Sequence, residues 1–347
     1  MGKKHIHGGD VYRYPDVLDF SSNCNPYGMP KGVKKAVSDA IEQAEHYPDV
    51  QCEKLRRALE QEEHVPYEQI ICGNGAADLI FGLVLSKKPK RALMPAPTFA
   101  EYQQALESVE CEVCYAYLDE KDGFLPGEEF LEHITEDLDM VFFCNPNNPT
   151  GVLANQNYLI KLAEKCRDCG VFLVLDECFL DFTDQQEAYT MKPFLEEFPG
   201  LFLLKAFTKK YAMPGLRLGY GFCTDKDVLE KMEAVMQPWN VSVLAQEAGR
   251  AALKEAGYVK ETMEKICREK IYLLENLKEL PLKIYASKAN YIFFYGPENF
   301  QKQCLEQKIY IRDCSNYEGL GAGFYRIAVR TRAENEALLQ VFKRLLE

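Results

Sequence analysis

Apolar positions along the chain fall into two recurring patterns. Short runs dominated by apolar residues predict strands at Ile70 to Cys72, Ala92 to Met94, Met140 to Cys144, Val171 to Leu175, Leu201 to Lys205 and Leu218 to Cys223. The run from Val171 has no polar alternation, the pattern of a parallel strand buried on both faces. Between these runs lie segments with apolar residues at helical spacing, such as Asn157 to Cys169. Gly73-Asn74-Gly75 turns the first run into a helix that begins at Ala76. Strands alternating with helices predict an α/β domain. The last third reads differently. Helical patterning from about Val243 to Leu280 predicts a bridge. Strands follow near Leu282–Tyr285, Asn290–Phe294, Ile309–Arg312 and Tyr325–Val329. Leu338, Leu339, Val341, Phe342, Leu345 and Leu346 then form one amphipathic stripe, predicting a closing helix. The pattern is that of a large α/β domain followed by a small α+β domain.

Composition narrows the class of protein. At roughly 150 residues per domain, 347 residues accommodate about two domains. A hydrophobic fraction of 47% and a charged fraction of 27% exclude a disordered, collagenous or coiled-coil chain. The net charge of -12 repels phosphate backbones and anionic lipid, so neither nucleic acid nor membrane is expected as a partner. The longest apolar run, near Leu79 to Leu85, is far short of the roughly 20 residues that span a bilayer. Met1-Gly2-Lys3-Lys4-His5-Ile6 lacks the apolar stretch of a secretory signal, and Ile6 stands where a myristoylation signal has Ser or Thr. Thirteen cysteines, an odd number, then suggest a reduced cytoplasmic enzyme. Cys166-Arg-Asp-Cys169 ends a helical pattern without a second pair at zinc spacing, so it reads as structural, and no metal is expected.

Four segments carry candidate chemistry, all at strand ends, where open α/β sheets place ligands. Gly73-Asn74-Gly75-Ala76-Ala77-Asp78 suits close approach of an anion to a helix N-terminus, or simply a tight turn. Asn145-Pro-Asn-Asn148-Pro-Thr-Gly151 forces turn geometry through two Asn-Pro steps. Asp176-Glu177 puts a carboxylate at the end of a buried strand, costly without a cation unless it is a helix cap. The fourth segment runs from Thr208-Lys209-Lys210 to Arg217-Leu-Gly219-Tyr220. It contains either solvated charges or a Schiff-base lysine with an arginine for a phosphate.

In this order, over essentially the whole chain, the four segments resemble the fold type I pyridoxal-phosphate enzymes, the group of the aspartate aminotransferase superfamily. The resemblance implies a large domain with a mostly parallel central sheet flanked by helices, plus a smaller C-terminal α+β domain. It divides the chain into an arm, 1–30, that packs on the active site, a large cofactor domain, 31–240, and a small domain, 241–347. It implies pyridoxal 5'-phosphate as cofactor, bound covalently by Lys209, with Asp176 on the pyridine nitrogen and Asn148 on the ring oxygen. Gly75, Ala76 and Ala77, with Thr208 and Arg217, would hold the phosphate. Phe99, with Tyr102 as an alternative, would stack on the ring. Tyr47, in His46-Tyr47-Pro48, would reach the phosphate from a partner subunit, making the protein a homodimer.

Further segments resemble the threonine-phosphate decarboxylases of cobalamin biosynthesis. These are His7-Gly8-Gly9, Asn23-Cys-Asn25-Pro, Ile311-Arg312-Asp-Cys-Ser-Asn-Tyr317 and Tyr325-Arg326-Ile-Ala-Val-Arg330. This likeness implies decarboxylation of a phosphorylated amino acid. Arg312 would bind its phosphate and Arg326 its α-carboxylate, with Asn148, His7 and Asn23 completing the shell. Arginine suits both anions because its planar fork matches them. Histidinol-phosphate aminotransferases share the scheme but usually carry tyrosine where this chain has Phe179. An aminotransferase is therefore the alternative, and a phosphoserine decarboxylase a lesser one. A sensor of this fold without catalysis would need a DNA-binding domain, and the segment before Asn23 is too short for one. Two positions depart from the pattern: Ala206 replaces a usual serine, and Ala77 a usual hydroxyl or acid.

Overall fold

The computed structural model describes residues 7–347, so residues 1–6, the start of the arm, lie outside it. The strands are β1 (Leu18–Asp19), β2 (Ile70–Gly73), β3 (Arg91–Ala96), β4 (Glu112–Tyr117), β5 (Met140–Cys144), β6 (Phe172–Asp176), β7 (Leu201–Ala206) and β8 (Gly219–Phe222). They continue with β9 (Lys283–Ile284), β10 (Tyr291–Tyr295), β11 (Ile309–Tyr310), β12 (Arg312–Asp313) and β13 (Phe324–Ala328). Seven form one sheet in the order β2-β8-β7-β6-β5-β3-β4, parallel except for β8, which runs antiparallel to both neighbours.

The unbroken apolar runs have a direct physical reading here. Phe143, Leu173, Leu175 and Leu203 point into one core, while Phe142, Val174, Phe202 and Leu204 point into another on the opposite face. Successive strand residues alternate faces, and helices cover both, so apolar residues fill both faces, and the buried charges Lys205 and Asp176 sit at or near the strand ends. Edge strand β4 escaped the sequence reading because its residues are mostly only half-buried or exposed.

The small body is an antiparallel sheet, β12-β13-β10-β9, packed against helices Ala256–Leu277 and Arg332–Leu346. A reciprocal cap between Thr331 and Glu334 fixes the start of the closing helix. The stretch expected as one bridge resolves into two helices because its apolar faces serve different cores. Ala245, Ala248 and Ala252 of Val243–Ala252 enter the large core, whereas Ile266, Leu273 and Leu277 of Ala256–Leu277 enter the small one. The predicted strand near Ile309–Arg312 likewise divides. β11 pairs in parallel with β1 of the arm, and β12 pairs with β13. Phe20 completes the seam, donating its N–H to Tyr310 O at 2.8 Å and accepting from Ala328 N at 2.8 Å.

Buried charge underlies the sheet. Glu63 accepts from Tyr220 Oη at 2.6 Å and Lys192 Nζ at 2.9 Å. Burial opposes its ionisation, but Lys205, Lys192 and Tyr220 outweigh burial and hold its pKa at about 2, from an ordinary 4.5. A depressed folded-state pKa contributes stability that is present above 4.5 and lost as pH falls toward 2. The contribution is roughly 3 kcal/mol. Glu63→Gln is expected to lower the melting temperature at neutral pH and to flatten its decline between pH 4.5 and 2. An unchanged acid limb in thermal melts would rule this out.

Candidate active site

A cavity of about 260 Å³ opens where β5, β6 and β7 end, between the two bodies. One end is the N-terminus of helix Ala76–Lys87, which follows β2 directly. Its cap residue, Gly75, has φ +87° and supplies no capping side chain. A Cβ there would lie 2.5 Å from Arg217 Nη2, so Gly75 supplies space for the guanidinium. Its own N–H is already donated to Gly73 O at 2.8 Å. A Cβ at Gly219 would lie 2.5 Å from Ala76 N, so that glycine lets β8 meet the helix start. Ala76, Ala77, Thr208 and Arg217 all line the cavity here. An uncapped helix start beside an arginine favours an anion.

Asp176 ends β6 and is nearly fully buried. Tyr102 Oη donates to its Oδ2 at 2.6 Å and Cys178 N–H to its Oδ1 at 2.8 Å. Burial pushes the carboxyl pKa up, and these two donors oppose the shift. Among the described residues no cation pairs with it, although it faces the cavity. The resemblance offers Tyr102 as an alternative stacking residue. Its ring instead lies behind the cavity, stacked on Phe142 at 4.8 Å, and its hydroxyl orients Asp176. Phe99 lines the cavity and meets Tyr102 edge-on at 5.4 Å. Its spacing from Tyr102, i to i+3, places both on one side of a helical turn.

The two adjacent lysines diverge. Lys209 faces the cavity, its Nζ 5.9 Å from the centre of the Phe179 ring. Among the described residues no hydrogen bond or ion pair engages that Nζ. Lys210 turns away and donates to Asp181 Oδ1 at 3.0 Å.

The small body supplies the opposite wall. Arg326, on β13, is buried and bonds Asn148 Oδ1 and Ser21 O, the latter at 2.8 Å. With its amide oxygen facing the guanidinium, Asn23 accepts from Arg326 Nε and Nη1 at 3.1 Å each. Arg312, on β12, is held by Asp313 O, by Asn316 Oδ1 at 2.8 Å and by the Tyr317 ring, 5.2 Å away. His7 reaches in from the arm and lies 3.0 Å from Glu101 Oε1. That hydrogen bond raises the His7 pKa, against burial and Arg312. The structure thus brings together every residue proposed from the sequence except Tyr47. Tyr47 is 77% exposed and stacks on Trp239 at 4.4 Å, outside this cavity. Glu101, Asn316 and Tyr317 were not singled out from the sequence for these contacts. They lie within or beside quoted motifs, and only the three-dimensional packing reveals their roles.

Residues 15–342 match the family model described as aminotransferase class I and II. The chain belongs to that family. It is 38% identical to the threonine-phosphate decarboxylase of Salmonella typhimurium, over 98% of this chain and 96% of that one. Among solved structures, the histidinol-phosphate aminotransferase of Clostridium acetobutylicum superposes with a TM-score of 0.88 at 29% identity, covering 95% of this chain and 99% of that one. The L-threonine-O-3-phosphate decarboxylase of Porphyromonas gingivalis gives 0.83 at 26% identity, covering 94% and 98%.

Pyridoxal phosphate is the cofactor of this aminotransferase-class chain, and the cavity fits it. A buried carboxylate without a cation suits a protonated ring nitrogen. An uncapped helix start beside Arg217 suits the phosphate, and an unengaged lysine amine suits the aldehyde.

Proposed function

We propose that the chain decarboxylates L-threonine O-3-phosphate, or a close phosphorylated amino acid, to an aminoalkyl phosphate in cobalamin biosynthesis. The observation that carries this reading is the pair of buried arginines, Arg312 and Arg326, on the wall formed by the small body. They add two anion receptors to the one already present at Arg217. A substrate with a phosphate at one end and a carboxylate at the other uses both.

When bound, pyridoxal phosphate supplies an electron sink for the bond that breaks at the substrate Cα. The chain's own residues decide the rest. Lys209 Nζ faces the cavity and is placed to deliver a proton to Cα. Burial pushes the Asp176 carboxyl toward its neutral form, Tyr102 Oη and Cys178 N–H oppose this by donating to it, and the carboxylate would hold a protonated ring nitrogen. Arg326 is fixed on three sides by Asn148, Ser21 and Asn23, so a carboxylate docking on it takes a defined orientation. His7, tied to Glu101, brings the arm to the wall that holds Arg312.

Amino transfer is the second reading, favoured by the close superposition on a histidinol-phosphate aminotransferase. Purified holoenzyme incubated with phosphothreonine should release carbon dioxide without consuming an added keto acid. Keto-acid-dependent exchange at a comparable rate would establish the second reading instead. Phosphoserine differs by one methyl, worth only about 1–3 kcal/mol in a pocket, so a relative rate on both substrates belongs in the same assay.

The enzyme works as a homodimer in this reading. Tyr47, Trp239, Val50 and Ile41 are all exposed apolar residues, and Tyr47 and Trp239 stack together. Tyr47 would serve the partner's phosphate site. Sedimentation of the native protein at dimer mass, and weaker cofactor retention in Tyr47→Ala, are the expected results. The division into arm 1–30, large domain 31–240 and small domain 241–347 is part of the same proposal. A cytoplasmic location accords with thirteen free cysteines, and no helix among the described residues is long and apolar enough to cross a membrane.

A further inference from the structure

Two charged doublets sit at the cavity, Asp176-Glu177 and Lys209-Lys210. In each, the first residue faces the cavity and the second joins a charge cluster on the far side of the sheet, in which Glu177, Lys205 and Asp181 are buried and Glu63, Lys192 and Lys210 half-buried. Glu177 is fully buried. It accepts from Thr190 Oγ1 at 2.8 Å and Met191 N at 2.9 Å, with Lys205 Nζ at 3.5 Å. Lys210 Nζ is 3.0 Å from Asp181 Oδ1, and Lys192 Nζ is 2.9 Å from Glu63 Oε2. Glu63, Glu177 and Asp181 thus face Lys192, Lys205 and Lys210, three acids against three lysines. Burial opposes the charge on Lys210, but Asp181, Tyr211 and Glu63 outweigh it and raise its pKa.

The segment that carries Lys209 cannot hold itself. Helix Phe207–Lys210 has four residues, a single turn, and its cap residue Ala206 offers no side-chain hydrogen bond. Asn25 secures its backbone, donating N–H to Lys209 O at 2.9 Å and Nδ2 to Lys210 O at 3.0 Å. Successive helical side chains leave the backbone about 100° apart, so with the turn held by Asn25 and Lys210 anchored on one side, Lys209 starts toward another, that of the cavity. We propose that Lys210, tethered to Asp181, is a positioning residue that aims Lys209 into the cavity, with the charge cluster as its anchor. This rests on the reading of Lys209 as the cofactor-binding lysine.

The test separates positioning from stability. Each protein is incubated with limiting pyridoxal phosphate, reduced with borohydride and mapped by peptide mass, and thermal melts are recorded in parallel. The native protein should carry the label on Lys209. Lys210→Gln should lower the trapped fraction about tenfold, a change equivalent to about 1.4 kcal/mol. Lys210→Arg, which keeps charge and reach, should stay within about twofold of native. Asp181→Asn breaks the same tether from the other end and should reproduce the loss if Lys210→Gln fails to fold. The double variant Lys210→Gln/Asp181→Asn restores charge balance without the tether. It should regain native melting while its trapped fraction stays low. A trapped fraction that recovers together with melting, or is native in Lys210→Gln, would overturn the positioning role while leaving Lys209 as the cofactor lysine. Label on Lys210 in the native protein would overturn both.

Discussion

Lys209→Ala is expected to reduce decarboxylation by about 10⁴-fold or more, the upper end of what one positioned proton-transfer group contributes. It should also abolish the absorbance band of covalently held cofactor. Two features of the structure make the expected loss severe. Among the described residues no side chain engages the Lys209 amine, and the other cationic groups of the cavity are arginines, which do not give up a proton, and His7, which Glu101 holds at the Arg312 end. The adjacent lysine cannot replace it, because Lys210 is directed to Asp181 behind the sheet. Cofactor should still associate through the helix start and Arg217, so a bound but non-covalent spectrum is expected, with an unchanged melting temperature for the protein without cofactor. Native turnover in Lys209→Ala would sink the assignment. Residual activity rescued by a small added amine would support it, since the missing function is then a proton carrier at that point.

The sequence made the large sheet legible because burial on both faces leaves runs such as Phe172 to Leu175 with no polar interruption. It hid β4, an edge strand that is exposed at both ends, Glu112 and Tyr117, and only half-buried through most of its middle. It also ran Val243–Ala252 into Ala256–Leu277, since helical spacing reports that a face is buried and not which core receives it. The candidate site was legible where glycine, proline and charge cluster at strand ends. Its cross-connections were not. Arg326 meets Asn148 across 178 positions of sequence, and Tyr102 meets Asp176 across 74. Asn148 was singled out for a ring oxygen, but nothing in its loop announces that an arginine from β13 holds it. The Tyr102 ring is legible as an aromatic in its motif, while its hydroxyl is what reaches Asp176. Periodicity locates faces of elements. Pairings between elements follow from packing, which no local spacing encodes.

Asp176→Asn is expected to lower turnover about 10²–10³-fold, the range for removing one preorganised electrostatic partner of a developing charge. The carboxylate is buried, and burial alone disfavours its charge. Tyr102 Oη and Cys178 N–H counter that tendency by donating to one oxygen each. A buried anion held this way attracts a cation, which in the proposed reading is the protonated ring nitrogen. Asparagine keeps the volume and loses the charge, so protonation of that nitrogen is no longer favoured. The effect should fall on kcat more than on KM, because Arg312 and Arg326 are untouched. Tyr102→Phe tests the same chain of cause one step back. It removes one hydrogen bond to a charged acceptor, worth about 1.5–3 kcal/mol, and should cost about 10–100-fold. The order native, Tyr102→Phe, Asp176→Asn is therefore expected in steady-state kinetics. The double variant should be no slower than Asp176→Asn alone, since Tyr102 acts only through that carboxylate. Additive losses in the double variant would show that the Tyr102 hydroxyl acts by another route, most simply through its interaction with the buried Cys144 thiol.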